Sequence, residues 1–494
     1  MKYLLGYDIG SSSIKGALLN AETGVCLASA FSPAEEMAIS APQSGWAEQD
    51  PEQWWKEAIT VTDLLRKQHD FHADDLVSIG ISYQMHGLVC LDKDGKVLRP
   101  AIIWCDSRAV PYGQEAFKEL GEAFCLDHYL NSPGNFTAAK LKWVKENEPD
   151  IFEKIHKVML PGDYIAYRLT GEMTTTVSGL SEGIWWDFRE QSIAVDLCRY
   201  FGYGQQLLSL IVPTFGEQGR VTKEAAGILK LNEGTPVTYR AGDQPNNAYS
   251  LNVLRPGDIA ATAGTSGVVY GVNEVASYDP ASRVNTFVHV NHAAQSPRNG
   301  VLLCVNGTGI LYSWIKRNLG IGSYEEMNSL AAGIVPGSDG LLFYPFGNGA
   351  ERILENRNVG AQMSGLDLNV HQRGHLLRAA QEGIVYALQY GIEIMQEMGV
   401  AVKTVKAGYA NMFLSPVFRE IFAGTTGTVI ELYETDGAQG AARAAGVGAG
   451  YYASYEESFT GIRKMATIEP EPSLQTQYSM YYARWREQLQ RLIS

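Results

Sequence analysis

The sequence predicts an α/β protein of two domains, and three observations carry that reading. The chain has 494 residues, more than one hydrophobic core usually serves. Short apolar strands and amphipathic helices follow one another from the N-terminus, with hairpins at one side of the expected sheet. A strand, glycine-hydroxyl turn, strand unit near the N-terminus returns about half a chain later. Hydrophobic residues make up 45% and charged residues 19%, a globular balance that leaves no room for long disorder.

The opening reads as a strand over Tyr3 to Asp8, a tight turn over Gly10 to Ser13, a strand over Ile14 to Leu19, a turn at Glu22 to Gly24, and a strand over Val25 to Phe31. Asp50 then stands as an N-cap before Pro51, and Trp54, Ala58, Val61 and Leu65 give the apolar stripe of a helix. Val77 to Ser82 reads as a buried strand. Thr235 to Arg240 reads as another, followed by Gly242-Asp243-Gln244-Pro245 and the small-residue run Asn246 to Ser250, which opens a helix. Asp258 to Ala263, the turn Gly264-Thr265-Ser266-Gly267 and Val268 to Val272 echo the opening. The echo is either a duplicated unit or a chance recurrence of a common turn. Helices are expected from about Arg373 to Met398 and from Ala438 to Ala449. These elements divide the chain into 1–250 and 251–494.

The formal charge of −14 excludes a general nucleic-acid binder, which needs a basic surface to release counterions. Any anionic ligand must be held by local donors: backbone N–H groups, a metal, or a cation such as Lys15. Six cysteines lie far apart without metal-ligand spacing, so reduced thiols are expected. The apolar stretch before Asp8 is too short for a signal peptide, and no run approaches eighteen apolar residues, so the expected setting is cytoplasmic with no membrane partner.

Asp8 ends an apolar strand and precedes Gly10 and the hydroxyls of Ser11 and Ser12. A carboxylate placed there can support a magnesium ion while the turn holds phosphate oxygens; the alternative is a strand-end aspartate capping its own turn. The segment has neither G-x-G-x-x-G nor a P-loop, which argues against a dinucleotide fold and a Walker site. Gln84-Met85-His86-Gly87 follows a strand, at the edge where open α/β sheets bind ligands, and His86 can donate to and accept from sugar hydroxyls. Asp243 is a candidate general base, since phosphoryl transfer asks the protein for positioning, charge neutralisation and a group that takes the nucleophile's proton. Trp104, Asp106 and Arg108 offer the aromatic and polar groups of a sugar pocket, or core and surface pairing. The run Asp436 to Gly450, with five glycines and six alanines, means tight helix packing or the approach of a flat ligand.

Taken in order, these segments resemble the FGGY family of carbohydrate kinases, and within it the branch acting on D-xylulose. The resemblance rests on Asp8-Ile9-Gly10-Ser11-Ser12-Ser13-Ile14-Lys15, Glu48 to Trp55, Gln84 to Gly87, Leu98 to Trp104 with Asp106, Leu160 to Tyr164, Gly242-Asp243, Gly264 to Gly267, and Asp436-Gly437-Ala438 with Gly440 to Arg443. It implies two actin-like (ribonuclease-H-like) domains with a deep interdomain cleft, the first carrying the sugar and the base, the second the nucleotide. It implies ATP and Mg2+, and phosphorylation of D-xylulose at O5 to D-xylulose 5-phosphate. Asp243 then resembles the catalytic base, and Asp8 the aspartate that supports the metal through water. Met85 and His86 resemble the sugar contacts, with Gln84, Trp104, Asp106 and Gln244 beside them. Ser11, Ser12, Lys15, Gly264, Thr265, Ser266, Gly408 and Asn411 fall in the nucleotide-binding segments. A homodimer is the assembly the resemblance suggests.

Three segments depart from the family pattern. The glycine-triplet loop against adenine reads Ala407-Gly408-Tyr409-Ala410-Asn411-Met412-Phe413-Leu414-Ser415 here. The G-E-R-[ST]-P segment reads Gly349-Ala350-Glu351-Arg352-Ile353, so sugar or closure contacts there are not carried over. Gln244 replaces a common asparagine, a longer amide beside the base. The rival readings are a kinase for ribulose, L-xylulose, fuculose, gluconate or glycerol, a catalytically silent sugar-binding homologue, and a nucleotide switch that hydrolyses ATP without sugar.

Overall fold

The computed structural model describes residues 1–493 and separates the chain into two compact units. One comprises Met1–Asn252 with Phe287–Asn299 and Thr435–Ile462; the other comprises Val253–Thr286, Gly300–Glu434 and the residues from Arg463 on. The chain therefore crosses more often than a division at 250/251 expects. In particular, the alanine- and glycine-rich helix Gly437–Gly448 belongs with the N-terminal residues.

In the first unit, β1 (Tyr3–Ile9), β2 (Ile14–Asn20) and β3 (Cys26–Ser32) form an antiparallel meander. β4 (Leu76–Tyr83) and β5 (Val237–Gly242) run parallel to β1, giving the order β5-β4-β1-β2-β3. Nearly every residue of β1, β4 and β5 is buried, as expected of strands covered on both faces. The helix Pro51–Gln68 covers one face, started by the Asp50 side chain accepting from the Glu52 N–H at 3.0 Å. Gly437–Gly448 covers the other. A β-carbon at Gly6 would collide with the Ala438 carbonyl, and one at Gly80 with the Ala441 carbonyl. The small-residue run is thus what lets a helix backbone lie directly on β1 and β4.

A second sheet, belonging to the second unit except for Phe287, Val288 and Asn299, is formed by β6 (Asp258–Ala263), β7 (Gly267–Asn273), β8 (Asn285–Val288), β9 (Asn299–Val305), β10 (Thr404–Gly408), β11 (Val429–Glu434) and β12 (Arg463–Ile468). Its order is β8-β9-β7-β6-β10-β11-β12. β6 pairs antiparallel with β7 and parallel with β10, which pairs parallel with β11. The run β9-β7-β6-β10-β11 repeats the order β3-β2-β1-β4-β5. The echo at Gly264 is therefore a repeat of the fold, the duplicated sheet expected of actin-like, ribonuclease-H-like domains. The core of this unit packs around the 25-residue helix Arg373–Glu397, whose Gly383 lies against the Phe343 backbone.

Candidate active site

Strand ends gather the first set of residues. Asp8, near the end of β1, pairs with Lys15 across the hairpin and with Ser82 on β4. The Ser82 hydroxyl donates to Oδ1 of Asp8 at 2.8 Å. Burial pushes the Asp8 carboxyl above its ordinary range; Lys15 and the Ser82 bond pull it back, and the charge of Asp436 pushes it up again. The helix Gly437–Gly448 begins here too: a β-carbon at Gly437 would stand 2.5 Å from Oδ2 of Asp8.

Asp243 follows β5 directly. The helix expected from Asn246 begins earlier, at Asp243, and runs to Ser250 with Gly242 as its N-cap. Pro245 fits because a helix's first-turn N–H groups need no internal partner. The carboxyl of Asp243 is pushed up to about 7, by burial before all else and by the charge of Asp8. Its own N–H and the backbone and side-chain N–H groups of Gln244 bond to it and oppose the shift. The longer amide of Gln244 thus reaches back to the candidate base.

The loop after β4 lies alongside. Met85 is buried, and a β-carbon at Gly242 would stand 2.6 Å from its Cγ, which puts Met85 against the residue preceding Asp243. Gln84 is buried too; its amide donates to Oε1 of Gln49 at 3.3 Å while its own Oε1 lacks an aligned partner. Gln49 also donates to the Ser11 carbonyl at 2.7 Å, and Trp104 Nε1 donates to Ser11 Oγ at 3.3 Å. Trp104 stays 48% exposed.

Asp106 is placed otherwise than a sugar contact requires. It has no solvent exposure, and its oxygens take the Ala47 N–H at 2.6 Å and the Arg108 Nε and Nη2 at 2.9 and 2.7 Å. Arg108 and Arg99 also pair with Glu48, at 2.7 and 2.5 Å. Asp106 belongs to a buried ion network beneath the Trp104 loop, because those arginines need every acceptor within reach. Two further residues that carried no sequence motif stand here: Lys140 and Glu182, both buried and both bonded to His86. Their spacing from residue 86 gives no local signal.

In the second unit the turn Gly264-Thr265-Ser266 joins β6 to β7, with Thr265 exposed. The first N–H groups of the helix Gly309–Leu319 hold it: Gly309 donates to the Gly264 carbonyl at 2.9 Å and Ile310 to the Thr265 carbonyl at 3.1 Å. The Asn411 amide lies over Gly264, where a β-carbon would be 3.5 Å from its Nδ2. Gly408 ends β10, and Asn411 has φ 54°, a left-handed conformation that asparagine tolerates better than most residues. The altered 349–353 segment has a role of its own. Glu351 is fully buried, both its oxygens accept from the Asn306 N–H at 3.1 Å, and burial pushes it up to about 7. It holds the turn that leads into the helix capping Gly264 and Thr265.

The carboxylates of Asp8, Asp243 and Asp436 lie within electrostatic reach along one edge of the first sheet. Among the described residues no cluster of three His, Cys, Asp or Glu side chains could hold a metal alone. That set suits a divalent ion that keeps waters and takes phosphate oxygens, as Mg2+ does, rather than an all-protein cage.

Comparison with known proteins agrees with this arrangement. The model of the FGGY family of carbohydrate kinases, N-terminal domain, matches residues 3–249, and that of the C-terminal domain matches residues 259–449. The chain is 31% identical to a xylulose kinase of Bacillus subtilis, over 95% of this chain and 93% of that protein. It is 29% identical to a xylulose kinase of Escherichia coli, over 99% of this chain and 98% of that one. A crystal structure of the corresponding kinase from Brucella ovis superimposes with a TM-score of 0.90 at 28% identity, covering 99% of each chain. Family membership implies ATP as phosphoryl donor, accompanied by a divalent metal. With both family domains in sequence order and one fold throughout, the chain belongs to the FGGY family of carbohydrate kinases.

Proposed function

We propose that this kinase transfers the γ-phosphoryl group of ATP to O5 of D-xylulose, giving D-xylulose 5-phosphate and ADP. The observation that carries the reading is the contact of Met85 with Gly242, which sets the candidate sugar-binding loop beside Asp243. Asp243, pushed up to about 7, is suited to accept the hydroxyl proton near neutral pH. Met85, His86 and Trp104 would hold the ketose, with Gln244 orienting the base. Ser11, Ser12 and Lys15 in the first unit are candidate nucleotide contacts, and so, within the second unit, are Gly264, Thr265, Ser266, Gly408 and Asn411. Asp8 would hold Mg2+ through water, and the ion would neutralise charge on the transferring phosphoryl group.

A cytoplasmic setting belongs to the same reading; among the described residues no helix is long and apolar enough to cross a membrane. A homodimer is the expected assembly, which light scattering measures. The test of the function is ADP production with MgATP and a panel of ketoses and polyols, with Asp243→Ala as control. The highest kcat/KM on D-xylulose and an inactive variant support the proposal. Another sugar leading the panel overturns the substrate, and ADP release independent of sugar overturns the transfer reaction.

A further inference from the structure

His86 has φ 62°, a left-handed conformation that a side-chain-bearing residue keeps when its surroundings over-determine it. Lys140 and Glu182 supply those surroundings. The His86 N–H points at Oε1 of Glu182 at 3.4 Å, and ring Nδ1 lies 2.9 Å from the Glu182 carbonyl oxygen. On the other side, Lys140 Nζ donates to the His86 carbonyl at 2.8 Å. A carbonyl can only accept, so in the neutral ring the proton sits on Nδ1 and Nε2 is the acceptor. The Phe136 ring closes the His86 ring edge-on at 4.9 Å.

Lys140 does more than hold one carbonyl. Its Nζ also donates to the Ile103 carbonyl at 3.0 Å, so a single amine ties the loop of His86 to the loop that begins at Trp104. Lys140 has no solvent exposure, and burial pulls it down to about 7. A group that costly to bury is kept where its donors have fixed acceptors. We propose that Lys140 is a positioning residue which, with the Glu182 carbonyl, locks the backbone and the ring tautomer of His86 and so sets discrimination between ketose epimers. The kinetic part rests on the reading of His86 as a sugar contact.

The test compares Lys140→Met with wild type on D-xylulose and its epimer D-ribulose. The expected result is a drop of about 10- to 100-fold in kcat/KM on D-xylulose, the size of a misplacement effect. The D-xylulose to D-ribulose ratio should move towards one, with KM for ATP within about twofold of wild type, and Lys140→Arg should recover part of the ratio by keeping the donors. An unchanged ratio in a folded Lys140→Met protein overturns the proposal. A second measurement needs no activity: nitrogen-15 NMR of histidine-labelled wild type, with the His86 signals assigned by their loss in His86→Asn. The Nδ1–H tautomer supports the lock and the Nε2–H tautomer overturns it. Were the wild type inert on every ketose, the functional reading would fail while the tautomer still decided the lock.

Discussion

Ser82 on β4 donates its hydroxyl hydrogen to Oδ1 of Asp8 on β1 at 2.8 Å, across two strands that pair in parallel. The bond favours the ionised carboxylate and opposes the effect of burial. Ser82→Ala should therefore raise the proton affinity of Asp8. Activity of the variant should begin to fall at a higher pH than that of wild type as the pH is lowered, by about three- to tenfold on the acid limb, while the two converge at alkaline pH. Superimposable pH profiles would mean that ionisation of Asp8 does not limit the reaction.

Asp243 couples activity to stability. Its carboxyl is raised from the usual carboxylate range to about 7. A group raised on folding leaves stability intact below its unfolded value and lowers it as the pH climbs through the folded value. The window is about pH 4 to 7, within which the unfolded chain releases the proton while the folded state still holds it, so stability falls as the pH rises. Asp243→Asn should reduce kcat by about 10²- to 10⁴-fold, yet melt at a higher temperature than wild type at pH 8. The gain should vanish near pH 4. Melting curves at the two pH values check the sign, and an equal gain at both would remove the titration from the account.

The helix Gly437–Gly448 can lie on the first sheet because β1 and β4 have no side chain where it touches them. A methyl group at Gly80 would meet the Ala441 carbonyl, which is backbone and cannot rotate away. Gly80→Ala should cost about 1–3 kcal/mol or more in urea unfolding. Gly227→Ala, at a position whose β-carbon would meet nothing within 4 Å, should be neutral or mildly stabilising.

Asp106 should behave as a structural anion. Removing its charge leaves Arg108 buried beside half its partners, a loss of about 3–5 kcal/mol for Asp106→Ala. KM for the sugar in the folded fraction should stay within about twofold of wild type. A large rise in that KM with unchanged stability would return Asp106 to the pocket.

Much of the fold was legible because its signals are local. The strand alternation of residues 3–32, the Asp50-Pro51 helix start and the turn at Gly264 each lie within a few residues, and each element formed where expected. The helix expected from Asn246 starts three residues earlier, at Asp243, because a first-turn proline gives up no hydrogen bond. The repeat of sheet order was visible as an echo, and became a duplication only once β10 and β11 were seen to pair beside β6.

By itself, the sequence determined the α/β class, the strand and turn that carry Asp8, and the residue types of the site, since propensity, alternation and capping act over short spans. Tertiary structure alone decided the company those residues keep. It returned Gly437 to the carboxylate of Asp8, turned Asp106 from candidate ligand into ion-pair partner, and brought Lys140 and Glu182 from far along the chain to either side of His86. Burial and long-range contact set charge, proton affinity and orientation, and neither has a period that can be read along a chain.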